Sequence, residues 1–253
     1  MSNETHDRDE IAIVHSSDLH VDDGYTARAH GGDGTRVLRV VLEAACEAAV
    51  DVVLLVGDVF EHNRLPLDLL DRTARLLDDA ALPIVILPGN HDPLIPASAY
   101  ARGAIAEPDN VHVLGITHDE AVVFADLELE IWGRAHRDYI DMAPLGEARP
   151  RTTRWQIAAA HGHYEAEPDS TTTLRPSWLI SDQEIAATGA DYVALGHWNR
   201  YAHVGNGRVP AYYSGSPDLA RTVNLVRLTA GGDVEVARRP LQFEPSASDQ
   251  GET

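Results

Sequence analysis

Five short clusters of aspartate, asparagine and histidine are spread along the chain, and each one follows a run of apolar residues. They offer carboxylate, amide and imidazole groups without a thiolate, a mixture that suits Mn, Fe or Zn ions. They hold more candidate ligands than one ion can use. Two ions about 3.5 to 4 Å apart that share one carboxylate would activate a water molecule and hold both oxygens of a phosphoester displacement. The clusters are Asp18 and His20; Gly57 and Asp58; Gly89, Asn90, His91 and Asp92; His161 and His163; and Gly196, His197 and Asn199.

The apolar runs that precede the clusters predict β-strands. Helical patterns between them favour an α/β fold, in which a sheet is covered by helices. Because the carboxyl ends of parallel strands share one edge of a sheet, the five clusters are expected to converge there. A single cluster would be explained equally well as turn residues and a structural histidine. Five clusters, each at the end of a predicted strand, favour a functional site. The strands are IAIVHSS from Ile11, VVLLVG from Val52, PIVILPG from Pro83, IAAAHGH from Ile157 and YVALGH from Tyr192.

Further elements follow from the same periodicities. Thr35 is positioned to cap a helix whose apolar residues from Val37 to Ala45 recur at three and four positions, and a second helix is predicted from Pro66 to Asp79. Strands are also suggested by NVHVLG, by AVVFADLELEIWG, and by NLVRLT with DVEVARR around a glycine-containing turn. The second half of the chain is therefore expected to be more antiparallel than the first.

Composition restricts the class of protein. All 20 basic residues are arginine and stand against 40 acidic residues, so the net charge of −20 argues against a protein that coats nucleic acid non-specifically. The single cysteine, Cys46, excludes an internal disulfide and lies in a helical pattern that predicts burial. No secretory signal or membrane-length apolar run is present, so we expect a cytoplasmic protein without membrane contact. One domain is predicted over residues 11–243, with disordered tails at 1–10 and 244–253.

The motifs DLH, GDVFEHN, GNHD, HGH and GHWN resemble, in this order, those of the calcineurin-like metallophosphoesterase superfamily. The stretches VVLLVGDVFEHNRLP, LPIVILPGNHD, NVHVLG and DYVALGH followed by YYSGSP are most similar to its SbcD-like exonuclease branch, and the similarity spans Ile11 to Leu219. The resemblance implies a four-layered αββα sandwich with mixed sheets rather than one doubly wound sheet. It also implies a hydrolase that uses two divalent metal ions, with Mn as the expected metal and Fe, Zn and Mg as alternatives.

The resemblance also assigns roles to individual residues. His91 would protonate the leaving oxygen or stabilise the transition state, and Asp92 would orient its ring. In the HGH motif His161 is preferred as the ligand, because it follows the strand directly, and His163 is read as a substrate or outer contact. The implied ligands are Asp18 and His20 for the first metal, Asp58 as the bridge, and Asn90, His161 and His197 for the second metal.

Two features depart from the family pattern. The last motif usually ends in a second histidine that completes the first metal site, whereas this chain has Asn199, a weaker ligand, with His203 as a distant substitute. The family's exonucleases continue into a capping domain and a segment that engages an SbcC-like ATPase, whereas this chain ends at Thr253, so that partner is not expected. A homodimer stays open as an alternative.

These observations predict a metal-dependent phosphoesterase that acts on phosphodiesters of nucleic acid or nucleotides. A small-molecule phosphomonoesterase is the alternative enzyme, and a binding module that has lost the chemistry is the alternative of another class. Arginines between Arg134 and Arg154 would either grip phosphates or form a solvated face. Of the four tryptophans, Trp198 is the one expected to stack on a base.

Overall fold

The computed structural model describes residues 9–168 and 177–243. The tails predicted at 1–10 and 244–253 lie outside the described residues except for Asp9 and Glu10, and Glu10 is already the first residue of a strand. The strands are β1 (Glu10–Ser16), β2 (Val52–Val56), β3 (Ile84–Leu87), β4 (Val111–Val113), β5 (Ala121–Phe124), β6 (Leu129–Gly133), β7 (Trp155–His161), β8 (His163–Tyr164), β9 (Leu179–Ile180), β10 (Tyr192–Gly196), β11 (Ala202–Val204), β12 (Ala211–Tyr213), β13 (Thr222–Thr229) and β14 (Val234–Pro240). The helices are α1 (Tyr25–Ala29), α2 (Arg36–Glu47), α3 (Leu67–Asp79), α4 (Ala99–Arg102), α5 (Asp182–Ala187) and α6 (Pro217–Ala220), with short 3-10 helices at Ala104–Ala106 and Ala125–Leu127.

The first sheet has the strand order β14-β13-β1-β2-β3-β4. Strands β1 to β4 are parallel, and β13 and β14 add an antiparallel hairpin beside β1. The three motif-bearing strands predicted in the first half are therefore neighbours. Because they run in the same direction, the loops that carry Asp18, Asp58 and Asn90 leave the sheet at the same edge.

The second sheet has the order β11-β12-β10-β7-β6-β5, and its central strands β6, β7, β10 and β12 are also parallel. Only the edge strands β5 and β11 pair antiparallel. Each sheet has three parallel and two antiparallel pairings. Along the chain, the pairings within the first half (β1-β2, β2-β3 and β3-β4) are all parallel, whereas every antiparallel pairing among the described residues includes a strand of the second half. The prediction of a more antiparallel second half is therefore confirmed. In AVVFADLELEIWG a 3-10 turn and a left-handed Glu128 (φ 49°) end β5 and reverse the chain into β6, which pairs parallel with β7.

The two sheets pack face to face, and helices cover their outer faces. In β2, Val52, Leu54 and Val56 pack between the sheets, while Val53 and Leu55 pack against α2 and α3. The outer face of the second sheet packs on Ile185 of α5. A strand that is buried on both faces reads as a continuous apolar run, which explains VVLLV. The predicted αββα sandwich is confirmed.

Three local predictions about α2 have different outcomes in the structure. The apolar stripe from Val37 to Ala45 is buried as predicted. Thr35 does occupy the N-cap position, but its hydroxyl donates to Asp33 Oδ1 (2.7 Å) instead of capping the helix. Cys46 is exposed, so the prediction of burial is wrong; it lies next to the buried stripe on the solvent side of the helix.

Within residues 9–168 and 177–243, no helix is long and apolar enough to cross a membrane.

Candidate metal centre

The loops after β1, β2, β3 and β10 meet the end of β7 at one edge of the sandwich. The first two are tied together, because the backbone N–H groups of Asp18 and His20 donate to the carbonyls of Gly57 and Asp58 (both 3.0 Å). Four of the polar residues have left-handed backbones, with φ of 56° at Asp18, 51° at His20, 53° at Asp58 and 104° at His197. Such conformations are strained for side chains with a Cβ and concentrate at functional sites.

Asp58 lies at the centre of the site and is 2% exposed. Its Oδ1 accepts the backbone N–H of His91 (2.9 Å), and its Oδ2 lies 3.1 Å from Nε2 of His161. Two groups of candidate ligand atoms, each within 4.8 Å of one another, share this carboxylate: His20, Asp58 and His91 form the first, and Asp58, His161 and His197 the second. Each of these two groups could hold a metal ion, and Asp58 belongs to both.

The surroundings of His161 test whether a metal ion fits the second group. Its Nδ1 lies 2.9 Å from the carbonyl of Val56, which takes up the Nδ1–H. Its Nε2 faces two acceptors, Oδ2 of Asp58 and Oδ1 of Asn90 (both 3.1 Å), and Asn90 Oδ1 also lies 3.2 Å from Nδ1 of His197. With the Nδ1–H directed at Val56, a neutral ring has a lone pair at Nε2, so a divalent cation placed between Nε2 and these two oxygens fits the geometry; without a metal, a second proton on the ring meets the same oxygens. These oxygen and nitrogen donors fit a divalent transition metal.

The charges of these groups are strongly perturbed. Burial opposes the ionisation of Asp58, but the charge and hydrogen bond of His161 outweigh it and hold the pKa of Asp58 below its usual range. Burial likewise opposes the protonation of His161, but Asp58 and Asp18 raise its pKa to about 9. Burial, with the nearby His161, lowers the pKa of His197 to about 4. His197 is therefore neutral near pH 7 and has a lone pair for a metal ion.

Asp18 and His20 flank Asp58 on the other side. Asp18 is 2% exposed, burial raises the pKa of its carboxyl, and its Oδ2 accepts the backbone N–H of His197 (3.0 Å). The Nδ1 of His20 lies 2.8 Å from Oε2 of Glu61. This contact leaves Nε2 of His20 as the nitrogen available to a metal ion.

Sequence reasoning missed two residues at this edge. Glu61 lies within the GDVFEHN motif, and a carboxylate three residues after Asp58 was the signal available for it. His136 is fully buried after β6, and its Nε2 donates to the carbonyl of His161 (2.8 Å). The sequence feature that could have pointed to His136 is a polar residue shortly after an apolar strand, as in the five motifs.

His91 and Asp92 do not form the pair expected from the sequence. The Nδ1 of His91 lies 3.0 Å from the carbonyl of Glu61 and 3.6 Å from its carboxylate. The fully buried carboxylate of Asp92 instead accepts the N–H groups of Gly89 (2.7 Å) and Phe60 (3.1 Å) and the Tyr100 hydroxyl (2.7 Å). Asp92 ties the GNHD loop to the preceding loop, and Glu61 is the residue that meets the His91 ring.

The remaining candidates lie at different distances from the centre. Asn199 is exposed and lines a cavity that also contains His20. His163 accepts the indole N–H of Trp198 (3.2 Å), and its ring lies 6.5 Å from that of His197. His203 is on edge strand β11, stacked on Tyr212 at 4.3 Å. The structure therefore brings Asn199 and His163 to the border of the site and leaves His203 in a separate stack.

Four of the five arginines from 134 to 154 lie within ion-pair distance of a carboxylate: Arg137, Arg149, Arg151 and Arg154. Arg149 lies 3.4 Å from the buried carboxylate of Glu130, and Arg151 makes a bidentate pair with Asp191 (2.7 and 3.1 Å). Neither lines a cavity that contains a candidate ligand. Of the two interpretations, the arginine surface paired with carboxylates is the one observed.

Glycine is required where the loops approach the ligands most closely. A Cβ on Gly57, whose φ is 79°, would collide with the ring of His161. A Cβ on Gly89 would collide with the carboxylate of Asp58. The glycines of the GD and GNHD motifs thus let the backbone pass directly beside two candidate ligand side chains.

Two cavities border this centre. The larger, about 920 Å³, is lined by Asn90 and His91, and the smaller, about 350 Å³, is lined by His20 and Asn199. Glu61 lines both of them. Candidate ligands of the centre therefore face two adjoining spaces of unequal size.

Comparisons with known proteins agree with this geometry. Residues 11–223 match the family model described as calcineurin-like phosphoesterase. The chain belongs to the calcineurin-like phosphoesterase family. The resemblance carried by the five motifs is confirmed, and so is the expectation of a hydrolase at the level of the family. The chain spans about half to three fifths of the length of the curated proteins that it matches.

Individual relatives of this calcineurin-like phosphoesterase include a nuclease subunit and a DNA repair protein. It is 25% identical to the D subunit of the nuclease SbcCD of Bacillus subtilis, over 82% of this chain and 61% of that protein. It is 27% identical to the DNA double-strand break repair protein Mre11 of Aeropyrum pernix, over 73% of this chain and 48% of that protein. The crystal structure of TT1561 from Thermus thermophilus shares the fold, with a TM-score of 0.53, 13% identity and coverage of 90% and 98% of the two chains.

Proposed function

We propose that this protein is a divalent-metal-dependent phosphodiesterase that acts on nucleotide or nucleic-acid substrates. The observation that carries the proposal is the pair of cavities that border the candidate ligands and share Glu61. A phosphodiester has two substituents on its phosphorus and needs two such spaces, whereas a phosphomonoester needs only one. The names of the relatives, a nuclease subunit and a DNA double-strand break repair protein, support the same substrate class.

The donor sets indicate where two ions would be held. Divalent ions bound there would supply Lewis-acid chemistry, polarising phosphoryl oxygens and lowering the pKa of a water molecule. Asp58 would be shared, and its ionised state fits that role. Mn²⁺ is the ion that we propose, with Asn199 weakening the first position. The proposed ligands are Asp18, His20, Asp58 and Asn199 at the first position and Asp58, Asn90, His161 and His197 at the second.

His91 is the proposed proton donor to the leaving oxygen. Its Nδ1 is held by the carbonyl of Glu61, and its side chain is 40% exposed in the wall of the larger cavity. Nε2 is then the ring nitrogen free to reach a bound phosphoester. A positioned acid of this kind contributes about 10²- to 10⁴-fold to rate.

Steady-state assays with bis-p-nitrophenyl phosphate and p-nitrophenyl phosphate test the proposal. We expect metal-stripped protein to be inactive, Mn²⁺ to restore activity, and kcat/KM to be higher for the diester. Single- and double-stranded DNA then define the class of diester. A higher kcat/KM for the monoester would replace the proposal with a phosphomonoesterase. Absence of Mn²⁺-dependent turnover on every substrate would leave a binding module.

A further inference from the structure

The larger cavity has an aromatic wall that the metal chemistry does not use. Trp178 and Tyr139 both line it, next to Asn90 and His91. Tyr139 is 59% exposed, and the adjacent Ile140 is 70% exposed. Isolated exposed apolar residues are ordinary, but aromatic rings grouped in the wall of a polar cavity are typical of ligand contact.

The wall is held in place before any ligand binds. The indole N–H of Trp178 donates to the carbonyl of Ile140 (3.1 Å), and its backbone N–H donates to Asp141. Its ring packs edge-on against those of His136 (5.3 Å) and His197 (5.9 Å). Trp178 also has a left-handed backbone, with φ of 53°. A ring fixed in this way loses little conformational entropy when a flat ligand stacks on it.

Tyr139 contacts a second part of the cavity wall, at Asn63. Its hydroxyl lies 3.5 Å from Nδ2 of Asn63. Asn63 is itself buried and fixed, since Nδ2 donates to the carbonyl of Pro93 (2.9 Å) and Oδ1 accepts the N–H of Ala99 (2.8 Å). The ring of Tyr139 is therefore presented to the cavity on a rigid support.

Arg64 adds positive charge to the same cavity. Its side chain is exposed, and among the described residues its guanidinium has no ion-pair partner. The neighbouring Arg102 differs, because its guanidinium donates to the carbonyls of Asn63 and Leu65. In a protein of net charge −20, a cation without a partner beside the site provides local attraction for an anionic substrate.

The other three tryptophans are unavailable for stacking on a ligand. Trp132 and Trp155 are buried. Trp198, expected from the sequence to contact a base, is stacked on Tyr213 with ring centroids 4.3 Å apart and donates to His163. Trp178 is therefore the tryptophan that borders the cavity.

We propose that Trp178 and Tyr139, assisted by Arg64, form a subsite that stacks one unpaired nucleobase of the substrate. The proposal rests on the phosphodiesterase function and specifies its substrate as a nucleotide diester whose base is free of a duplex. Stacking of a base on an aromatic side chain is worth about 1 to 3 kcal/mol and tolerates any base. We therefore expect preference for single-stranded over double-stranded substrate, with little discrimination among bases.

A double-change cycle tests this subsite: the aromatic ring is removed from the protein, the base is removed from the substrate, and the two changes are then combined. The substrates are thymidylyl-(3′→5′)-thymidine and its two analogues with an abasic residue on one side, assayed with Mn²⁺. For the unmodified protein, one of the two base deletions should lower kcat/KM about 5- to 150-fold, the range that corresponds to 1 to 3 kcal/mol. Trp178→Ala should lower kcat/KM for the intact dinucleotide similarly, and the same base deletion should then have no further effect.

Three controls separate stacking from damage to the site. Trp178→Phe keeps an aromatic face and should recover most of the loss. Tyr201→Leu changes a tyrosine outside both cavities and should leave the cycle as it is in the unmodified protein. Because Trp178 packs on His197, calorimetric Mn²⁺ titration of Trp178→Ala separates loss of stacking, which leaves Mn²⁺ affinity unchanged, from damage to the metal site, which lowers it and would overturn the stacking interpretation of that variant. If that variant does not fold, Tyr139→Leu against Tyr139→Phe gives the same comparison.

The subsite would be overturned if the losses in kcat/KM from Trp178→Ala and from base deletion were additive when combined. It would also be overturned if neither base deletion lowered kcat/KM of the unmodified protein. Cleavage of methyl p-nitrophenyl phosphate without cleavage of any dinucleotide would also overturn it, while leaving the phosphodiesterase proposal intact. Failure to cleave either diester in the presence of Mn²⁺ would instead refute the proposed function itself.

Discussion

Replacing Glu61 by glutamine tests how the first metal position is supported. The change keeps the shape of the side chain but removes the charge that lies 2.8 Å from Nδ1 of His20. Loss of such a partner to a metal-ligating histidine typically weakens metal binding about 10- to 100-fold. The Glu61 side chain is 40% exposed, and solvent weakens charge interactions at that exposure. We therefore expect the low end of the range, about a 10-fold weaker first site.

The same substitution should leave the second site and the proton donor nearly unchanged. His161 and His197 have no contact with Glu61 among the hydrogen bonds and ion pairs of the described residues. His91 is held chiefly by the backbone carbonyl of Glu61, 3.0 Å from Nδ1, and glutamine retains that carbonyl. With saturating Mn²⁺, kcat should then approach that of the unmodified protein.

Calorimetric Mn²⁺ titration with parallel kinetics measures both effects. Glu43→Gln, on the exposed side of α2, is the matched control for loss of one negative charge from a strongly acidic protein. If Glu61→Gln and Glu43→Gln bind Mn²⁺ alike, Glu61 does not support His20. If both metal sites weaken equally in Glu61→Gln, the two positions are not separable in the way that the two groups of ligand atoms suggest.

Four further substitutions have distinct expected outcomes. Asp58→Ala should abolish turnover and lower the metal content measured by elemental analysis, whereas His91→Ala should lower kcat about 10²- to 10⁴-fold with metal still bound; equal loss of metal from both would make His91 a ligand. Asn199→His should move the weaker phase of the Mn²⁺ titration to lower concentration without moving the tight phase, and two equally tight sites in the unmodified protein would contradict a weakened first site. Arg151→Ala should lower the free energy of unfolding, measured by urea denaturation, by about 1 kcal/mol, because it removes an exposed bidentate pair with Asp191. KM should stay constant, and a raised KM would return Arg151 to substrate binding.

Much of the site could be predicted because it depends on strand direction. Asp18, Asp58 and Asn90 each follow a strand of one parallel sheet, so their convergence needs only the order of the strands. His161 and His197 follow neighbouring parallel strands of the second sheet in the same way. What periodicity did not give was the pairing of the two sheets, which came from the motif resemblance.

The errors arose where side-chain partners decide the outcome. Asp92 is adjacent to His91 in sequence, but its carboxylate accepts hydrogen bonds from Gly89, Phe60 and Tyr100 instead. Sequence spacing does not reveal these partners. Trp198 lies inside a motif yet stacks on Tyr213, whereas Trp178, outside every motif, borders the cavity. Tertiary contacts between distant segments determine both results.

The two metal positions are mechanically linked through Asp18. Left-handed conformations at residues such as Asp18 and His197 cost about 1 to 3 kcal/mol each, so surrounding contacts must fix them. The backbone N–H of Asp18 donates to the carbonyl of Gly57, and the carboxylate of Asp18 in turn accepts the N–H of His197. A proposed ligand of the first ion thus fixes the backbone of a proposed ligand of the second. Loss of the Asp18 carboxylate should therefore disturb both positions, whereas a change at Asn199, which has no such contact among the described residues, should disturb only the first.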